Sequence, residues 1–95
     1  MPRYIAHHRM LKNEQETRAW WAQAVPVIEA ANRAGQFPAR LLYTWIPVDL
    51  TAHPVAWCLW EGESPEVVRA TLEQGGILAY MTAEIIEVSE NDWFA

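Results

Sequence analysis

The order strand, helix, strand, strand, helix, strand predicts an α+β domain of ferredoxin-like βαββαβ topology, with a four-stranded antiparallel sheet and two helices on one face. Three observations carry that expectation. Hydrophobic spacing switches twice between a period of two and a helical period. Each helical stretch opens on a capping residue. Two helices cover only one face of such a sheet, yet apolar residues occur on both, so a second copy should close the other face and give a dimeric α+β barrel.

The first strand is expected from Arg3 to Leu11, where Lys12-Asn13-Glu14 breaks it; Asn13 is a fitting N-cap, with Glu16 three residues on. From Glu14 to about Arg33, Trp20, Ala24, Val27, Ile28 and Ala31 form one stripe at helical spacing. Pro26 removes a backbone donor and should kink or split this helix near Val25. Gly35 supplies the left-handed stop. The second strand spans Arg40 to Val48 and the third Pro54 to Glu61, joined by Asp49-Leu50-Thr51-Ala52-His53. Ser64-Pro65-Glu66 places a cap, a first-turn proline and a carboxylate at the start of a helix that runs to about Gln74 and stops at Gly75-Gly76. A last strand covers roughly Met81 to Val88, before a polar tail ending Asp92-Trp93-Phe94-Ala95.

A chain of 95 residues holds a single core, so residues 1–95 are expected to form one domain. With 52% hydrophobic and 20% charged residues the composition is that of a globular chain. A net charge of −5, with its basic residues scattered, argues against nucleic acid and anionic membrane as partners. The single cysteine, Cys58, forms no internal disulfide, and the opening residues carry no apolar leader; both predict a cytoplasmic protein. Six tryptophans are more than one small core needs, which points to a pocket or a subunit interface.

Alternation along the strands sorts the side chains between faces. Val55, Trp57 and Leu59 are the better match for a helix-packed core, which puts Cys58 and Trp60 on the uncovered face with Tyr4, His8, Tyr43 and Trp45. These six form the candidate ligand site, an aromatic cleft with one imidazole and one thiol. Against that stands the plainer reading of an aromatic dimer interface in which His8 is merely hydrogen-bonded. His7 and His8 are adjacent on a strand and point to opposite faces, so they do not converge on one ion. His53 reads as a solvated loop residue, and Cys58 as a small buried hydrophobe rather than a nucleophile. Gly-rich phosphate loops, nucleophile elbows and zinc-protease or calcium-loop spacings do not occur.

Pro2-Arg3-Tyr4-Ile5 leading to His8-Arg9-Met10, Tyr43 and Trp45, the run Trp57-Cys58-Leu59-Trp60-Glu61-Gly62 before Ser64-Pro65, and Ala83-Glu84-Ile85-Ile86-Glu87-Val88 together span about two-thirds of the chain. On these motifs the chain resembles a family of small ferredoxin-like bacterial proteins that includes nickel-binding members. The resemblance implies the fold, a homodimer or higher assembly of dimers, and nickel as a candidate cofactor. The family's helix ligands are replaced here by Trp20-Trp21-Ala22-Gln23-Ala24 and Val68-Arg69-Ala70-Thr71-Leu72, which leaves His8 as the one metal position that carries over.

Three functions are open at this stage. One is a binding protein whose aromatic cleft takes a small apolar or aromatic ligand, or a metal ion such as nickel. The second is a cofactor-free isomerase, cyclase or monooxygenase of the dimeric α+β barrel type. The third is a module that only dimerises.

Overall fold

A computed structural model describes residues 1–93; Phe94 and Ala95, the end of the predicted tail, lie outside the described residues. The elements are β1 (Arg3–Arg9), α1 (Glu14–Arg33), β2 (Arg40–Trp45), β3 (Val55–Glu61), α2 (Pro65–Gln74) and β4 (Glu84–Val88), with a single 3-10 turn at Ile77–Ala79. The strands form one antiparallel sheet in the order β2-β3-β1-β4, which is the ferredoxin-like topology.

Local chemistry sets the element ends. Asn13 caps α1 by accepting the Glu16 N–H at 2.8 Å. The other end closes in a Schellman arrangement, with Gly35 at φ +68° and bonds from Gly35 N to Asn32 O and from Gln36 N to Ala31 O. Ser64 caps α2 by accepting from Val67 N at 3.3 Å, with Pro65 in the first turn. The strands are shorter than their apolar runs. β1 stops at Arg9, beyond which Met10 makes an isolated bridge to Met81. β2 stops at Trp45, and β4 begins only at Glu84 because the 3-10 turn and Thr82 occupy the approach.

Pro26 neither splits nor ends α1, which runs as one helix from Glu14 to Arg33. The helix is fastened at both ends instead. The Asn32 side-chain amide donates to Leu41 O at 3.0 Å and accepts from Leu41 N at 2.8 Å. Near the start, Arg18 donates to Val48 O, and Thr51 donates to Glu14, both in or beside the β2–β3 loop. α2 lies close against β4, whereas no strand makes a comparably close backbone approach to α1.

The covered face carries Tyr4, Ala6 and His8 of β1 and Ala56 and Trp60 of β3, all buried. With Val68 and Leu72 of α2, several of these form the core. The opposite face bears Ile5 and His7, Trp57 and Leu59, Tyr43 and Trp45, and Ile86. Tyr43 and Trp45 are 65% and 48% exposed and stack on each other, while Trp57 stacks on His7. Two helices leave that face bare.

Replacing Ser64 by Ala should lower unfolding stability by about 0.5–2 kcal/mol, the usual cost of losing an N-cap. Urea denaturation of the two proteins side by side measures it, and coincident midpoints would show the cap to be redundant.

Candidate functional site

The six residues expected to share the uncovered face do not share one face. Tyr4, His8, Cys58 and Trp60 point toward the helices, and only Tyr43 and Trp45 lie on the bare side. The grouping of Tyr4, His8, Cys58 and Trp60 with one another is right, since the register pairs Tyr4 with Trp60 and His8 with Ala56. Their face is inverted: Val55, Trp57 and Leu59 read as the helix-packed set, but Ala56, Cys58 and Trp60 face the helices, and of the first three only Leu59 is buried. An irregularity between Leu41 and Tyr43 in β2 adds one residue there, so that Leu41 and Thr44 face the helices while Tyr43 and Trp45 face away.

The face toward the helices contains a partly open cavity of about 230 Å³ between α1 and the sheet. Trp21, Val25 and Ile28 of α1 overhang it, and Ala56 and Cys58 of β3 lie on its sheet side. Small side chains on the strand, beneath a helix to which no strand makes a close backbone approach, leave the space. His8 and Trp60 also line it. Tyr4 does not, and sits in the core with Val68 and Leu72 of α2. Sequence reasoning missed the contribution of α1 altogether. Its available signal was the row of small residues Ala6, Ala56 and Cys58 on the same face as two large rings.

His8 is fully buried, and its Nδ1 lies 2.8 Å from the Thr82 carbonyl oxygen. A carbonyl only accepts, so Nδ1 carries the proton of the neutral ring and Nε2 keeps its lone pair. Thr82 is itself pinned to β1: its N–H donates to Arg9 O at 2.9 Å and its hydroxyl accepts from Arg9 N at 3.1 Å. The ring is therefore held in one tautomer by backbone. Burial pushes the His8 pKa below its ordinary value; the bond to Thr82 opposes that shift, and the neighbouring His7 adds to it.

Two polar atoms are buried without a partner among the described residues, and both belong to cavity-lining side chains: His8 Nε2, an acceptor, and Trp60 Nε1–H, a donor. Leaving such a group unpaired costs roughly 1–3 kcal/mol, and the large majority of buried polar groups have a partner. Burial raises the Cys58 thiol to about 11, so it is protonated at neutral pH, with the Thr44 hydroxyl 3.6 Å away. That thiol is a poor nucleophile.

The donor set does not fit nickel. Among the described residues, no three His, Cys, Asp or Glu side chains come together as a metal site. His8 offers one nitrogen, Cys58 is a thiol rather than a thiolate, and His7 stacks on Trp57 across the sheet. His53 is exposed in the β2–β3 loop, as expected. No helix among the described residues is long and apolar enough to cross a membrane. No family model, curated protein or solved structure matches the chain.

The shift at His8 has a definite sign in stability. A buried imidazole with a lowered pKa binds fewer protons folded than unfolded, so its contribution is complete above the unfolded value of about 6.5 and is lost as pH falls from there toward the folded value. The wild type should lose stability over that window relative to His8→Gln, which lacks the titration. Denaturation of both proteins at stepped pH reads it, and parallel curves would refute a depressed His8.

Proposed function

We propose that this chain binds a small, mostly apolar molecule in the cleft between α1 and the sheet, and does so as a homodimer joined through the bare sheet face. One observation carries the reading of the cleft: a 230 Å³ apolar cavity whose walls include two buried hydrogen-bonding atoms with no protein partner among the described residues. Ligand pockets have this character, an apolar lining with a few fixed polar points. An apolar cavity of roughly 150 Å³ is enough for benzene, so this one suits a ligand of one or two rings.

The neutral His8 ring supports a second reading. With its Nε2 lone pair free, it is placed to act as a general base, as a cofactor-free isomerase, cyclase or monooxygenase would require. Turnover of a bound compound, lost in His8→Gln while binding persists, separates enzyme from binding protein.

Naphthalene, titrated against the protein by NMR, should shift the resonances of Trp21, Ile28 and Cys58. The variant Cys58→Phe, which fills the cavity from its sheet side, should fold and lose those shifts. If neither naphthalene nor a naphthol perturbs a cavity residue, the cleft is not a ligand site and assembly through the bare face is the reading left.

The dimer rests on Tyr43, Trp45, Trp57 and Ile86, which are 38–65% exposed on one continuous sheet face. Burial gains about 25 cal/mol per Å² of apolar area, and an isologous two-fold contact buries the same rings on both copies. Arg3 and Glu61 lie at one end of that face, and Arg9 and Glu84 toward the other, so both signs of charge are available to a two-fold partner. Sedimentation at micromolar concentration should give the mass of two chains or a multiple of it. The double variant Trp45→Glu, Trp57→Glu should give one. A wild-type monomer would end the proposal.

A further inference from the structure

Resting on the cavity as a ligand site, the chemistry of its wall narrows the ligand. Among the described residues its only fixed charge is the Glu29 carboxylate, and no lysine or arginine lines it. A carboxylate or phosphate placed there would leave water without a counter-charge and beside a like one, which a pocket of this size does not repay. The unpartnered atom of His8 is an acceptor, because Nδ1–H is committed to Thr82 and Thr82 is locked to Arg9 from two sides. The ring cannot turn to present a donor without breaking that bond. The unpartnered atom of Trp60 is a donor. In the β1–β3 register the two residues lie four positions apart along the sheet, roughly 13 Å between Cα atoms at the usual rise, with the paired Ala6 and Cys58 between. They are separate polar points, so one hydroxyl is not required to meet both.

We infer that the ligand is an uncharged, largely aromatic molecule bearing a hydroxyl or N–H that donates to Nε2 of His8, and that its anionic counterparts are refused. Trp60 is free to donate to an oxygen elsewhere on the same molecule. The cavity in which that hydrogen bond would form is lined by Trp21 and Ile28 of α1 and by Ala56, the cross-strand partner of His8. Such an acceptor disfavours analogues that lack the donor, since they leave Nε2 buried and unpaired.

Four probes of one size test this on the intact protein at neutral pH: naphthalene, a naphthol, the methyl ether of that naphthol, and the corresponding naphthoate. The naphthol should bind about three- to tenfold more tightly than naphthalene, the value of one net hydrogen bond. The ether should lose that advantage, and the naphthoate should bind at least roughly tenfold more weakly than naphthalene. In His8→Phe the naphthol should fall to the level of naphthalene while naphthalene itself is retained. The wild-type ranking stands by itself should that variant not fold. An ether as tight as the naphthol, a naphthoate tighter than naphthalene, or a naphthol advantage that survives in folded His8→Phe overturns the inference and leaves the cavity reading intact. Failure of all four probes to bind overturns both.

Discussion

The side-chain amide of Asn32, set against both the N–H and the C=O of Leu41, does at the edge of the sheet what a neighbouring strand would otherwise do. β2 is an outer strand, and its unpaired backbone groups would template association with another chain. One asparagine blunts that edge and fixes the C-terminal part of α1 to it. With Arg18 and Glu14 tied to the β2–β3 loop, the 20-residue helix is anchored near each end along one side of the sheet. Between those anchors Trp20, Trp21 and Ile28 pack against the core and Trp20 stacks on Tyr80, but no strand approaches the helix backbone as β4 approaches α2. The cavity lies in the space that remains between α1 and the sheet.

What the cavity offers is decided by β1 and the segment before β4. Thr82 is bonded to Arg9 by backbone and side chain, so the carbonyl that receives His8 Nδ1–H cannot drift. A histidine held this way has one tautomer and one free acceptor, and burial keeps it neutral. The cost of an unpaired acceptor is built into the apo fold. In the proposed site that cost would be the source of selectivity, because a ligand with a matching donor removes it and one without does not.

Much of this architecture was legible in the sequence. Asn13, Gly35, Ser64 and Pro65 mark helix ends by local chemistry that tertiary context does not override, and they fall where expected. The grouping of Tyr4, His8, Cys58 and Trp60 survived because alternation within a strand is geometric. Which way the group points is a question of polarity, and here polarity gives no answer. Val55, Trp57 and Leu59 are at least as apolar as the set that is buried, because both faces of the sheet carry large rings. Pro26 was expected to kink or split α1 near Val25, and the helix runs across it without splitting. The cavity left no pattern of its own, since a space has no periodicity, and only the small side chains of Ala6, Ala56 and Cys58 hinted at it.

The proposed dimer face and the proposed ligand cleft therefore lie on opposite sides of one thin sheet. His7 and His8 are neighbours in sequence, as are Trp57 and Cys58, yet each pair divides between the bare face and the cavity. A strand that alternates in this way allows one face to change without repacking the other, because side chains on opposite sides meet only through backbone. The backbone is still shared. A partner sheet laid on Trp57 would restrain the strand whose next residue lines the cavity, and a ligand beneath α1 would press on that strand from the other side. The proposed dimer and the proposed pocket are separable by substitution but not mechanically independent, and β3, which contributes Trp57 to one and Ala56 and Cys58 to the other, is where they meet.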